Sequence, residues 1–300
     1  MIIHKLEEAI AKRAPILGEG TDALRLLDAD GDGLPGLYLD TFAERWLVST
    51  QGNQLGPEYT ALLKEQGRQG RSIYWKQLDQ NEKTNPTHIA GPPQDEAFMI
   101  KESGVNYKLS FQSGYSQGIF LDQRLNRRRV RDQSQAGMTV LNTFAYTGAF
   151  SVCAALGGAT TTTLDLSQVY LDWARNHFTI NGLDAEDHFF CKGDTFHWLK
   201  RFARQGRTFD GIILDPPTFS RDDKGKVFRV EKDYGRLVSL AHTCLAEGGW
   251  VLCCTNCRKL DLLDFTRMIR KAMPRARLTT LPMPEEYTAA PYLKSIWVTA

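Results

Sequence analysis

Residues 139–165 read TVLNTFAYTGAFSVCAALGGATTTTLD, and the order of residue types in them decides the fold class. Thr139–Thr143 is a short apolar strand, Gly148–Leu156 a helix of small residues, and Thr160–Leu164 a second strand of β-branched and aliphatic residues. The rhythm continues outward from there. A helix is expected over 168–181, a strand over 187–191, a helix over 195–205 and a strand over 209–214. A helix over 234–245, a strand over 249–254, a helix over 260–273 and strands near 278–281 and 295–298 close the chain. Strands and helices alternating at this spacing give an α/β fold, an open and mostly parallel sheet covered on both faces.

The first ~110 residues follow a different plan, that of a small α+β unit. A short amphipathic helix (6–14) precedes strands at 23–27, 37–40 and 46–50, a helix at 59–66 and a strand at 72–77. Residues 79–96 read as a long loop with three prolines, followed by a hairpin of 98–102 and 107–111. The expected domains are therefore 1–112, an accessory unit, and 113–300, the larger one. Asp28-Ala-Asp30-Gly-Asp32-Gly33 imitates the start of a calcium loop, but the twelfth position is Leu39 and the flanks are strand-like. Turn chemistry accounts for it, and no metal site is expected.

Composition sets the outer bounds. The chain has 300 residues, 42% of them hydrophobic, and no apolar run of the length a membrane span needs. Its start, MIIHKLEEAIAKR, is unlike a signal peptide, so a cytoplasmic protein with no membrane partner is expected. Residues 1–100 carry 10 basic and 15 acidic groups, and residues 101–300 carry 27 and 20. A polyanion would therefore meet the second portion. The six cysteines, at 153, 191, 244, 253, 254 and 257, sit mostly in apolar runs, as buried thiols in a reducing compartment do.

In an open parallel sheet the ligand lies beyond the carboxyl ends of the strands. After the first strand, Asn142 to Ser151 supplies one glycine, Gly148, where a pyrophosphate loop would need three. After the second stands Asp165, placed to accept from both hydroxyls of a ribose. After the third, Gly193-Asp194-Thr195-Phe196 offers a carboxylate for a base amino group and a ring to pack on it. As plain structure, both acids would be helix N-caps. Together, without a phosphate loop, they suit adenosine carried on something other than a diphosphate. After the fourth comes Asp215-Pro216-Pro217-Thr218-Phe219, a rigid floor with an acceptor and a stacking ring. The loop that follows, 220–232, leans basic through Arg221, Lys224, Lys226, Arg229 and Lys232, set against Asp222, Asp223 and Glu231. Upstream, Arg128 and Arg131 read as a helix's solvent face, yet Arg124, Arg127, Arg128 and Arg129, with Arg131 close behind, also make a phosphate-contacting patch.

These pieces together resemble a known family. Phe-x-Asp-Gln-Arg-x-Asn-Arg from Phe120, Val-Leu-Asn-x-Phe-x-Tyr-Thr-Gly-x-Phe-Ser from Val140, Asp165, Gly193-Asp194 and Asp215-Pro-Pro-x-Phe are similar to the S-adenosylmethionine-dependent methyltransferases of the large-subunit ribosomal RNA group. That group includes cytosine-C5 and guanine-N7 enzymes, and the likeness covers residues 22–300. It implies a Rossmann-like methyltransferase domain with a seven-stranded sheet, S-adenosylmethionine as cofactor, and a base of structured, ribosomal RNA as acceptor. It also implies roles. Asn142, Tyr146, Thr147, Gly148 and Phe150 would wrap the methionine end of the cofactor. Asp165 would hold the ribose, and Asp194, Thr195 and Phe196 the adenine. Gln123 and Arg124 would lie near the methionine carboxylate or the target, and Asp215 to Phe219, Pro216 among them, would position the target, with Asp215 also a cofactor contact. The chain has no room before Leu24 for the PUA-type domain of the cytosine-C5 members. Their nucleophilic cysteine has Asn256 at its position here, with Cys257 one residue late. That pattern is closer to direct attack by a ring nitrogen, while Cys257 stays a candidate nucleophile. A homodimer, a small-molecule or protein methyltransferase, and a non-catalytic RNA-binding protein of the same fold remain open.

Overall fold

The computed structural model describes residues 2–18, 20–52, 55–79, 84–221, 225 and 227–300. It divides the chain into two units, Met1–Arg124 with Pro284–Pro291, and Leu125–Met283 with Tyr292–Ala300.

In the first unit, helix α1 (Ile2–Leu17) precedes β1 (Ala23–Asp28), β2 (Leu37–Phe42), β3 (Arg45–Thr50), α2 (Pro57–Arg68), β4 (Ser72–Gln77) and β5 (Thr87–Ala90). The five strands form one sheet in chain order, antiparallel except for β3 and β4, which α2 connects in parallel. Leu24, Leu27, Leu39, Trp46, Val48 and Ile73 bury one face under Leu6 and Ala9 of α1 and Leu63 of α2. Strand β5 lies inside the stretch 79–96, expected as a loop. It is a four-residue edge strand with two exposed positions, so it shows no apolar periodicity. Residues 80–83 of that stretch lie outside the described residues. The hairpin β6 (Phe98–Glu102) and β7 (Val105–Leu109) turns at Ser103 and Gly104, with φ of 51° and 80°. Two successive positive φ values match the right-handed twist of the strands.

The calcium-like cluster has another use. Asp32 is gripped bidentately by the buried Arg13 (3.1 and 2.8 Å), and Asp28 accepts from Arg25 (2.9 Å) and from the Ala289 backbone (2.8 Å). Gly31 is glycine because a Cβ there would fall 2.3 Å from Ala289 N and Thr288 C. Arg13 also donates to the Glu286 carbonyl (2.7 Å), and Arg124 makes a bidentate pair with the Glu286 carboxylate (2.9 and 2.7 Å). The segment Pro284–Pro291 is thus held in the first unit by buried arginines and aspartates.

The second unit runs through α3 (Arg124–Asp132, which starts at the last residue of the first unit), β8 (Thr139–Thr143), α4 (Ala149–Leu156), β9 (Thr160–Asp165), α5 (Gln168–Ile180) and β10 (Phe189–Lys192). It continues with α6 (Thr195–Arg204), β11 (Phe209–Leu214), a small hairpin of β12 (Phe219–Arg221) and β13 (Val227–Arg229), and α7 (Val230–His242). Strand β14 (Leu245–Thr255), α8 (Leu262–Ala272), β15 (Arg277–Leu281) and β16 (Lys294–Thr299) complete it. The seven-stranded sheet has the order β10-β9-β8-β11-β14-β16-β15, parallel from β10 to β14, with β16 antiparallel to both neighbours. The expected Rossmann-like α/β fold is present. The stretch 220–232, read as a loop, carries the β12–β13 hairpin and the first turn of α7. Phe228 and Val230 pack into the core there, a tertiary effect that local composition hides. Asp222, Asp223, Lys224 and Lys226 lie outside the described residues.

Alternation along the strands fills two core layers. Ile212, Leu214, Val251 and Cys253 meet Leu199, Tyr234, Leu237 and Phe265 on one face. Ile213, Trp250, Leu252 and Cys254 meet Val130, Phe150 and Ala154 on the other. The chain builds outward from β8 to β10, then returns to β11 and β14 on the opposite side. The crevice of such a sheet opens where the order reverses, between β8 and β11.

Candidate active site

The turn after β8 is built against local preference. Phe144 and Tyr146 have φ of 52° and 51°, and Gly148 74°. Two bulky residues in the left-handed region cost of order 1–3 kcal/mol each, and such strain collects at functional sites. Surrounding contacts hold it. Ala145 N donates to Leu164 O (3.0 Å), Gly148 N to Ala145 O (2.8 Å) and Tyr146 N to the Asp165 carboxylate (2.8 Å). Helix α5 supports the turn along one face. Tyr170 meets the Tyr146 ring edge-on with centroids 4.6 Å apart, Ala174 lies under Gly148, and His177 bonds to the Thr147 carbonyl (2.9 Å). A carbonyl only accepts, so Nδ1 of the fully buried His177 carries the proton. No feature of the helix sequence singles out His177, because its partner is thirty residues away.

Asp165, at the end of β9, is not a helix cap; Ser167 caps α5. Its carboxylate accepts from Tyr146 N and Ser167 N (2.9 Å), leaving acceptor capacity on a group with about four such positions. Burial raises its pKa above the ordinary value, against the pull of those N–H groups. Asp194 does cap a helix, accepting from His197 N (2.8 Å). Gly193 N donates to the Asp165 carbonyl (2.9 Å), which ties the two strand ends together. Thr195 and Phe196 are buried, and Phe196 packs in the core 5.9 Å from the Phe228 ring. Asn142 and Phe150 are buried too, Asn142 donating to Ser151 Oγ (2.9 Å) and Phe150 facing the α3 side of the sheet.

At the ends of β11 and β14 a second cluster forms. Tyr234 donates to the Leu214 carbonyl (2.8 Å), fixing the strand just before Asp215; burial holds this phenol's pKa well above its ordinary value. Asp215 is half-buried, Pro216 buried, and Phe219 52% exposed. Thr218 donates to Asn256 Oδ1 (2.9 Å), so the Pro-Pro floor and the end of β14 meet through a side-chain bond. Asn256 is exposed, whereas Cys257 is 1% exposed with its side chain in the core. A thiol so placed is the wrong geometry for a nucleophile that adds to a base. Cys253 and Cys254 are buried on opposite sheet faces, and burial pushes Cys253 up to about 12. Lys294 donates to the carbonyls of Cys257 and Tyr292 (both 3.0 Å), and desolvation lowers its pKa. Neither the Thr218–Asn256 nor the Lys294–Cys257 bond is legible in the sequence, since each joins segments distant along the chain.

Gln123 and Arg124 belong to the first unit and are buried there, with Arg124 committed to Glu286. Of the arginines expected to make one patch, Arg124 and Arg127 are buried and Arg128 and Arg129 are exposed.

The family of S-adenosylmethionine-dependent methyltransferases matches residues 58–287. The chain belongs to that family. Bacillus subtilis YwbD, provisionally named a ribosomal RNA large subunit methyltransferase, is 33% identical over 98% of this chain and 76% of its own length. Ribosomal RNA large subunit methyltransferase K of Neisseria meningitidis is 38% identical over 68% of this chain, which spans 56% of that relative. The crystal structure of SMU.776 complexed with SAH superposes with a TM-score of 0.88 at 32% identity, over 99% of this chain and 80% of that one.

The strand-end chemistry fits the cofactor of this methyltransferase. Asp165 has acceptor capacity for a diol, a single glycine replaces a phosphate loop, and the strained turn from Phe144 to Gly148 is braced as a binding turn must be. When bound, S-adenosylmethionine supplies a methyl group already activated on sulfonium sulfur. The chain's own task is to hold and orient, with Asp165 fixed by the Tyr146 and Ser167 N–H groups and the turn braced by His177, Tyr170 and Ala174.

Proposed function

We propose that this methyltransferase acts on a base of structured RNA, in the large-subunit ribosomal RNA, within the cytoplasm. The carrying observation is the Thr218–Asn256 bond, which sets an exposed amide beside the Asp215–Pro216 floor and the exposed Phe219 ring. A planar, polar-edged acceptor suits that triple of floor, amide and ring. The names of the relatives support RNA as its source. Asn142, Tyr146, Thr147, Gly148 and Phe150 form the methionine side of the cofactor site, Asp165 the ribose contact, and Asp194 with Thr195 the adenine side. Phe196 supports the adenine side from the core of the second unit. Residues 1–112 serve as the accessory portion and 113–300 as the catalytic one.

Transfer is then direct displacement. Asp215, Pro216 and Asn256 orient the base in line with the methyl group, and orientation is the main source of rate. Cys257 takes no covalent part. Purified protein would be incubated with S-adenosylmethionine and unmodified large-subunit ribosomal RNA, and the nucleosides analysed by mass spectrometry. One new methylated base is expected, retained by Cys257→Ala and lowered about 100-fold in rate by Asn256→Ala. SAH binding without any methylated nucleoside would overturn the RNA assignment, and loss of activity in Cys257→Ala with retained SAH binding would overturn the displacement step.

A further inference from the structure

From Phe265 to Pro284 the chain has five basic residues and no acidic one, and the five fall between Arg267 and Arg277. They occupy the last turns of α8 and the start of β15, the outermost strand of the seven-stranded sheet. Arg267 pairs with Asp264, and Arg270 caps the carbonyls of Pro274 and Ala276. Lys271, Arg275 and Arg277 are exposed and have no hydrogen-bond or ion-pair partner among the described residues.

Register joins them to the arginines of α3. Thr279 pairs with Trp297 and Arg277 with Thr299, so Arg277, two residues from Thr279, projects on the Trp297 face. Arg129 lies over the Trp297 ring at 5.5 Å on that same face. A predominantly basic surface, in which the one acid of α3, Asp132, pairs with Arg128 and Arg131, therefore wraps the sheet edge from α3 across β15 to the end of α8, all within the second unit.

We propose that this edge is a docking surface for the phosphate backbone of the RNA substrate, resting on the RNA assignment above. Exposed arginines match phosphate oxygens in a bidentate way, and the outer backbone N–H groups of an edge strand are further phosphate donors. Position fixes the size of the substrate. Arg277 is level, through Thr299, with Trp250, five residues before the end of β14 where Asn256 begins. At ~3.4 Å per residue that is roughly 17 Å from the catalytic strand end. A ligand touching both is a folded RNA and not a nucleotide. The surface thus selects long structured RNA without contributing to the base site.

The triple variant Lys271→Glu, Arg275→Glu, Arg277→Glu tests this in the full-length protein, with affinity for a transcribed large-subunit RNA fragment measured between 50 and 200 mM salt. Losing three contacts lowers the log–log salt slope by about 2–3, so the affinity lost over that range shrinks about 20- to 40-fold. The KM for long RNA rises, while SAH affinity, kcat and activity on a minimal stem-loop stay at wild-type values. An unchanged slope and KM beside tight wild-type binding would overturn the surface and leave the RNA assignment standing; a wild type that neither binds nor methylates RNA would overturn both.

Discussion

Gly148 is the residue at which the strained turn after β8 and the packing of α5 meet, and Gly148→Ala is the sharpest perturbation of that turn. The backbone there has φ of 74°, and a Cβ would lie 2.6 Å from the Ala174 Cβ and 3.3 Å from its Cα. Neither atom is the end of a flexible chain. The left-handed conformation alone costs an alanine ~1–2 kcal/mol. Forcing α4 and α5 apart adds about 1–3 kcal/mol of overpacking. The sum, roughly 2–5 kcal/mol, lowers Tm by roughly 4–20 °C for a unit of this size. Thermal unfolding and SAH calorimetry would measure it, and SAH affinity should fall because the turn carrying Tyr146 and Thr147 must shift. Ala174→Gly separates the two parts. By itself it costs ~1 kcal/mol of helix stability. Combined with Gly148→Ala it relieves the clash and leaves the φ strain, so the double mutant should couple favourably by about 1–3 kcal/mol. Strict additivity, or a Gly148→Ala protein with wild-type Tm and affinity, would show that the packing account is wrong.

Asp165 should give SAH binding an acid limb: the carboxylate must be ionised to accept from a diol, and burial raises its pKa, so affinity falls on acidification at a higher pH than for an exposed aspartate. Stability moves the other way. A raised folded pKa contributes stability at low pH that is lost as pH rises through it, so acidification favours folding at this residue while weakening the cofactor. Asp165→Asn should remove both trends, and calorimetry over pH 4–8 that finds the same profile in both proteins would refute the role. His177→Phe removes the donor to Thr147 and should raise the KM for S-adenosylmethionine, by about 5- to 150-fold if the whole ~1–3 kcal/mol appears there, with the KM for RNA unmoved. His177→Asn should recover part of that loss; equal damage by both would mark His177 as packing alone.

Much of the second unit is legible in its sequence because each buried strand is a short β-branched or aliphatic run and each helix is long enough to show its period. The strand-end positions of Asp165 and Asp194 are legible for a related reason, since they follow from where β9 and β10 stop. What fails is whatever depends on partners distant in sequence. Strand β5 and the β12–β13 hairpin are short and half-exposed, with little periodicity to read. Phe196 and Cys257 are packed into the core by residues distant in sequence, which no local pattern announces. Arg124 looks free until Glu286, more than 160 residues later, takes its guanidinium. His177, Thr218 and Lys294 are invisible in the same way, each acting on a carbonyl or amide of another element.

The return of Pro284–Pro291 to the first unit has a consequence for biosynthesis. Arg13, Asp28 and Arg124 emerge from the ribosome long before Glu286 and Ala289, the groups that satisfy them. The first unit therefore cannot reach its final state until Pro284–Pro291 has been translated. No single proteolytic cut or gene truncation yields either unit intact. A fragment ending near residue 124 would leave the buried Arg124 without the Glu286 carboxylate, and one beginning there would carry a strap with nothing to hold it.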